Sequence, residues 1–209
     1  MKKVLFLLFI LLSFGLSQGI LESINSESVN SKSSGMDELC DNGDASICYA
    51  LGKMNERNSA LLQNKNTPES RMYYKKASNI YKMECDEDNF TSCSILGNMH
   101  INSQGVDNDH FKAKEYFTKA CDNDEQEGCV GIGKLHLSGV SARKDGKMAK
   151  KYFESACEKK NQNGCLFLAQ MYEKGEGISK NKKQAKEYYG KACDFNSQAG
   201  CAKYSELSK

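Results

Sequence analysis

The chain predicts an all-α solenoid of disulfide-linked helix pairs, and three observations carry that expectation. Its ten cysteines fall into five pairs with seven residues between partners: Cys40/Cys48, Cys85/Cys93, Cys121/Cys129, Cys157/Cys165 and Cys193/Cys201. From the second pair onward the pairs recur every 36 residues, a period that marks stacked repeats. Apolar residues at helical spacing flank the pairs. The first interval is nine residues longer than the others.

The spacing itself dictates a hairpin. Bridged cysteines need Cα atoms about 5.5 Å apart, whereas eight positions of one helix advance ~12 Å along its axis. A bridge within each pair therefore requires the chain to reverse between its cysteines. The intervening segments suit reversal: one holds Asn42, Gly43 and Asp44, another Asn161, Asn163 and Gly164.

Before the reversals runs a helix, called B here, with one apolar face. Ala113, Tyr116, Phe117 and Ala120 set the pattern, which returns as Ala149, Tyr152, Phe153, Ala156 and as Ala185, Tyr188, Tyr189, Ala192. After each second cysteine comes helix A, marked by Leu51, Leu96, Ile132 and Leu168, then Gly52, Gly97, Gly133 and Ala169, then Met54, Met99, Leu135 and Met171. The small residues let backbones approach, and the aromatics fill the space between repeats. Between A and B lies a turn with Gly105, Gly139, Gly175 and Gly177, followed by Val106, Ala142 or Ile178. Asp109, Asp145 and Asn181 then stand where each can cap helix B. The nine extra residues of the first unit fall in its A–B connection, around Asn55 to Asn66, after which Thr67-Pro68-Glu69 reads as a helix start. Each bridge closes a loop of about nine residues and stabilises by roughly 2.5 kcal/mol in the chain-entropy model. The cysteines are thus assigned to staples that clamp one helix locally against the next.

The N-terminal stretch has a different character. Lys2 and Lys3, an apolar run at 4–12 and small residues at Ser13, Gly15, Ser17 and Gly19 have the layout of a secretory signal peptide, expected to span 1–19. The apolar run is too short to span a bilayer. Residues 20–35, rich in Ser, Asn and Glu, read as a flexible leader, and 36–209 as a repeat domain of about four repeats with a terminal cap helix. Evenly spaced cysteines behind such a signal fit an oxidising compartment, so a secreted or periplasmic bacterial product without a membrane anchor is expected. The formal net charge of +2 falls to about zero once Lys2 and Lys3 are removed. No basic block or aromatic-basic stripe points to nucleic acid.

The run Cys93-x3-Gly97-x-Met99-His100, followed by Gly105-Val106 and by Asp109-x3-Ala113-x2-Tyr116-Phe117-x-Lys119-Ala120-Cys121, resembles the Sel-like repeat, a relative of the tetratricopeptide repeat. A second match runs from Cys165 through Gly175-Glu-Gly-Ile to Ala192-Cys193. With the signal peptide and the paired cysteines, the stretch from Cys40 to Cys201 is similar to the Helicobacter cysteine-rich proteins. The first unit departs from the pattern, with Glu84 in place of Ala and Ile80-Tyr81 in place of the aromatic pair. The resemblance implies a right-handed superhelix of disulfide-linked pairs. It also implies penicillin binding or weak β-lactamase activity, which the residues themselves do not derive.

A serine β-lactamase activates its serine with a nearby lysine, usually as Ser-x-x-Lys. Ser141/Lys144 and Ser179/Lys182 have that spacing, but both sit in A–B turns and no Lys-Thr-Gly partner exists. A zinc site would need His, Cys or carboxylate clusters. The histidines are His100, His110 and His136, and the first and last share a repeat position with Tyr172, which marks them as packing residues. No metal and no cofactor is therefore expected, and no catalytic residue can be nominated. Glu87-Asp-Asn89-Phe-Thr91 is an N-glycosylation sequon in an interhelix turn, making Asn89 a candidate acceptor. The expected activity is binding of an extended peptide, a peptidoglycan fragment or a β-lactam along stacked A helices. The alternatives are a β-lactamase proper and a secreted module that engages a partner protein.

Overall fold

The computed structural model describes residues 35–60, 67–140 and 143–209. The expected signal peptide, nearly all of the leader, part of the first A–B connection, and the turn residues Ser141 and Ala142 lie outside them. The chain separates into two compact units, divided after Ser70. In the first, α1 (described over 35–41) and α2 (Ala45–Ala60) form a hairpin closed by Cys40–Cys48.

α3 (Pro68–Asp86) runs across that division into the second unit, where it is followed by α4 (Phe90–Asn102), α5 (His110–Asp122), α6 (Gln126–Ser138), α7 (Gly146–Glu158), α8 (Gln162–Lys174), α9 (Lys182–Asp194) and α10 (Gln198–Glu206). Cys85–Cys93 joins α3 to α4, Cys121–Cys129 joins α5 to α6, Cys157–Cys165 joins α7 to α8, and Cys193–Cys201 joins α9 to α10. All five bridges bring Cα atoms to between 4.5 and 4.8 Å, near the short end of the usual range. The described residues are all-helical, as a chain of disulfide-linked helix pairs should be.

Local chemistry starts each helix. Asp109, Asp145 and Asn181 accept from backbone N–H groups in the first turns of α5, α7 and α9. At the opposite edge Asn89, Glu125, Asn161 and Ser197 do the same for α4, α6, α8 and α10. The hairpins turn through a left-handed residue three positions after the first cysteine. It is glycine only in the first hairpin, at Gly43, and is Asp88, Asp124, Lys160 and Asn196 (φ between 65° and 69°) in the others.

Burial follows the two stripes. Ala113, Phe117 and Ala120, Ala149, Phe153 and Ala156, and Ala185, Tyr189 and Ala192 are all buried, against Leu96, Met99, Ile132, Leu135, Leu168 and Met171. Met54 departs from the expected stripe: in the unit with the long connection this position is 47% exposed.

The five bridges are local, as expected, and bridged cysteines also pack on the next hairpin: Cys85 and Cys93 on Ala120, Cys157 and Cys165 on Ala192, and likewise Cys129. Besides its bridge to Cys121, this residue is buried in a core cluster with Val130, with Ala149, Phe153 and Ala156 of α7, and with Leu168 and Met171 of α8. The start of α6 faces the next hairpin, so the Cys129 side chain packs between units as well as stapling its own. Cysteine is small and apolar enough for both tasks.

The hairpin ends pack by size. A Cβ on Gly128, Gly164 or Gly200 would lie 2.6–2.8 Å from the Cβ of Ala120, Ala156 or Ala192, so each of these pairs holds the helix ends in direct contact. In α3–α4 the same two positions are Glu84 and Ser92, and the Ser92 hydroxyl donates to the Glu84 carboxylate. The departure at Glu84 is thus one half of a paired replacement.

Polar contacts tie neighbouring hairpins along this edge. Lys119 donates to the Cys85 carbonyl (2.6 Å) and pairs with Asp88 (3.2 Å), while the Thr91 hydroxyl donates to Glu125 (2.8 Å). Further on, Glu127 accepts from Asn161 and Asn163 (2.8 and 2.9 Å), and Lys159 pairs with Asp124. On the interior, α4 packs on α6 and α6 on α8, with no comparable contact from α5 to α7 or from α7 to α9. Closer spacing puts the A helices on the inner side of the stack.

Candidate functional site

The inner face of the second unit carries three layers built from equivalent positions. Each takes one residue near the end of an A helix, one from the following B helix and one from the start of the next A helix. The layers are Ile101–Phe117–Gly131, Leu137–Phe153–Phe167 and Glu173–Tyr189–Lys203. The central residues Phe117, Phe153 and Tyr189 are all buried, so what differs is the cover over them.

In the middle layer an aromatic ring supplies that cover. Phe167 stacks on Phe153 with centroids 5.4 Å apart, and the Lys134 ammonium lies 5.7 Å from the centroid of the Phe167 ring. In the last layer polar groups do it: the Tyr189 hydroxyl donates to Glu173 Oε2 (2.6 Å), and Lys203 stands 3.6 Å from the same carboxylate. These contacts have electrostatic consequences. The phenol bond, with help from Lys203, holds the Glu173 carboxyl below its ordinary value, while burial and that carboxylate push the Tyr189 phenol up.

The first layer is open. Gly131 offers no side chain, and a cavity of about 210 Å³ lies there, lined by Ile101, Phe117, Gly131, Leu135, Lys134 and His110 among others. Val140, 51% exposed, stands at its rim. The neighbouring amide of Asn98 donates to the Ser94 carbonyl, and the Ser138 hydroxyl to that of Leu135. His110 Nδ1, buried, has no hydrogen-bond partner. The cavity is thus mostly apolar, with one buried ring nitrogen and one exposed ammonium at its margin.

A second, wider depression of about 580 Å³ lies by the turn after α4, lined by Arg71, Lys75, His100, Asp107 and Lys112 among others. Its cations are exposed, and Lys112 also faces Asp109 at 3.9 Å.

The motif residues fall outside the apolar cavity with one exception, His110. Ser179, in the turn before α9, and Lys182, its first residue, are both exposed. Ser141 lies outside the described residues, and its partner Lys144 is exposed. His100 stacks on Tyr116 (5.7 Å) and His136 on Tyr152 (5.8 Å), as Tyr172 does on Tyr188 (5.8 Å), which is the packing role expected of that position. His100 Nδ1 also stands 3.0 Å from the Asp107 carbonyl, to which it donates as the Nδ1–H tautomer. The cysteines do not line the cavity either: Cys129, two residues before Gly131 on α6, is turned into the core, and all ten are bridged. Among the described residues no three His, Cys, Asp or Glu side chains are grouped to hold a metal ion, and no helix is long and apolar enough to cross a membrane.

Asn89 is exposed, and its side chain accepts from Ser92 N as the cap of α4. Thr91 of the same sequon is held by Glu125. Sequence reasoning missed the cavity, although its signal was present: Gly131 stands where Ile95 and Phe167 stand in the neighbouring units.

Comparison with known proteins gives the fold a lineage. The model of the Sel1 repeat matches residues 46–79, 91–125, 126–161 and 163–194, more than half of the chain. Among solved structures, Helicobacter pylori cysteine-rich protein B is 29% identical, with 66% of this chain and 98% of that one covered and a TM-score of 0.50. A Sel1 repeat protein from Oxalobacter formigenes shares 21% identity over 78% of this chain and 63% of its own, with a TM-score of 0.54. A protective antigen of uropathogenic Escherichia coli with an SLR fold shares 20% over 80% of this chain and 34% of its own, with a TM-score of 0.55. The chain thus spans less than two thirds of the length of the last two. No curated protein matches it significantly. Four matched repeats, each spanning an A helix and the B helix that follows it, lead to one assignment: the chain belongs to the Sel1 repeat family.

Proposed function

We propose that the protein is a secreted or periplasmic binding module that holds an extended peptide along the inner face of α4, α6 and α8. One observation carries this reading: the open layer at Gly131, an apolar cavity with Asn98, Lys134 and Ser138 among the residues that line it. Apolar pockets rimmed by a few polar groups suit one anchoring side chain, with neighbouring donors left for a peptide backbone. The bridges Cys85–Cys93, Cys121–Cys129 and Cys157–Cys165 tie α4, α6 and α8 each to its partner helix, which lowers the ordering entropy that opposes binding. They also fit an oxidising compartment, in keeping with the signal-peptide reading of 1–19.

Within this reading a peptidoglycan stem peptide or a β-lactam that imitates one is a candidate ligand, and a segment of a partner protein is another. Hydrolysis of the β-lactam has less support, because the lysines of both Ser-x-x-Lys matches are exposed. Calorimetry of the oxidised protein against a random heptapeptide pool, a muropeptide and benzylpenicillin tests the proposal. Heat with at least one of them, and no nitrocefin turnover in chelator-treated protein, is expected. Silence with all of them removes the reading.

Asn89 is proposed as a glycan acceptor in the native source. Its side chain caps α4 and Thr91 is held by Glu125, so attachment before the turn closes is the easier route. An unshifted intact mass of the native protein ends that proposal.

A further inference from the structure

We propose that the cavity over Phe117 is a socket for one tyrosine side chain. The proposal rests on the peptide-binding reading above and names the side chain that anchors there. Its first support is the chain's own repetition. One unit further on, the position of Gly131 is Phe167, whose ring stacks on Phe153, the counterpart of Phe117. The fold thus displays an aromatic ring as the group that covers this site, and at Gly131 it supplies none. Glycine also lets the α6 backbone meet the ring directly, since a Cβ there would come within 2.5 Å of Phe117.

Electrostatic complementarity narrows the occupant from any ring to a phenol. Lys134 already sets its ammonium over the Phe167 ring and also lines the cavity, where it meets the electron-rich face of an incoming ring on its other side. His110 lines the cavity and its buried Nδ1 has no partner, so a turn of the ring lets that nitrogen accept from a hydroxyl that enters. The Asn98 amide and the Ser138 hydroxyl are already committed to carbonyls of their own helices. The last layer contains the same type of contact within the chain, where the Tyr189 hydroxyl donates to an acceptor on the adjacent A helix.

The test uses the oxidised full-length protein after removal of any signal peptide, with N-acetyl-tyrosinamide and N-acetyl-phenylalaninamide as probes in an NMR titration. Both are expected to shift the amide signals around Gly131 and Leu135, with the tyrosine probe about fivefold tighter, the gain of one hydrogen bond. His110→Leu replaces an unpartnered polar group by an apolar one, so it should fold normally and bring the two probes level. Val140→Asp, at an exposed position, should weaken both. Equal affinity of the probes for the unaltered protein, or shifts confined to other residues, overturns the socket. So does a concentration-dependent shift of the same signals without probe, which would make a second copy of the chain the occupant. Failure is distinguishable from that of the broader reading: a bound peptide pool with silent probes sinks the socket alone, and bound probes with a silent pool sink the extended groove alone.

Discussion

The layers Ile101–Phe117–Gly131 and Leu137–Phe153–Phe167 have the same backbone positions and the same buried phenylalanine, yet one is open and the other covered by a ring. The difference is one side chain at the start of an A helix. It shows that this repeat tolerates large changes at its inner face because the hairpins are held elsewhere, by buried Ala–Gly contacts and bridges at the stapled edge. A solenoid in which stability and inner-face chemistry occupy different edges can vary a site in one unit without unfolding its neighbours.

The comparison breaks most sharply at Phe167. Phe167→Ala should turn the middle layer into a copy of the first, with a cavity over Phe153. The lost stack and the space left behind should cost about 3 kcal/mol, read as a lower urea midpoint. Such a variant should also gain a second weak site for an aromatic probe. A cost below about 1 kcal/mol would mean that the ring contributes little to the layer.

Gly131→Ala works in the opposite direction and should cost less. The new methyl would meet the Phe117 ring at 2.5 Å, and Phe117, packed with Ala113, Ile132 and Leu135 and closely faced by Gly97, would have to shift toward the cavity and fill part of it. Overpacking of this kind costs about 2 kcal/mol, of which the better helix propensity of alanine returns up to ~1. A net loss near 1 kcal/mol together with loss of probe binding is expected, and a stabilised variant would show that the contact is looser than described.

Much of this architecture was legible in the sequence. The reversal followed from the cysteine spacing, the buried stripes from the periodicity at Ala113, Phe117 and Ala120, and the B-helix caps from Asp109, Asp145 and Asn181. What stayed hidden lies where one position accepts several chemistries. The left-handed turn residue is Gly once and Asp, Asp, Lys and Asn elsewhere, and the A-helix cap is Asn, Glu, Asn and Ser, so neither reads as a motif. Glu84 was visible as a departure, but its partner Ser92 sits eight residues away across a turn and is seen only when the hairpin closes. The packing of Cys85, Cys93, Cys129, Cys157 and Cys165 on the next hairpin stayed hidden too, because spacing identifies a staple but not the neighbouring unit that packs on it. The open layer was missed for a related reason. A glycine at 131 states that a side chain is absent, and only the neighbouring unit shows what would have filled the space.

The last layer gives the smallest and most specific prediction. Tyr189→Phe keeps the buried ring and removes the bond to Glu173, leaving that carboxylate with Lys203 at 3.6 Å. The loss should be about 1 kcal/mol at neutral pH, typical of one hydrogen bond to a charged acceptor that keeps another partner. Its pH dependence follows from the lowered carboxyl. Because Glu173 is held below its ordinary value of 4.5, its contribution is complete above that value and disappears as pH falls through the lower folded-state value. In the variant the carboxyl moves back toward its ordinary value, so less stability depends on its ionisation. The gap between the urea midpoints of the two proteins should therefore be widest near neutral pH and close as the pH falls below the lowered folded-state value. A gap that stays constant across that range would assign the loss to packing of the hydroxyl rather than to the carboxylate it serves.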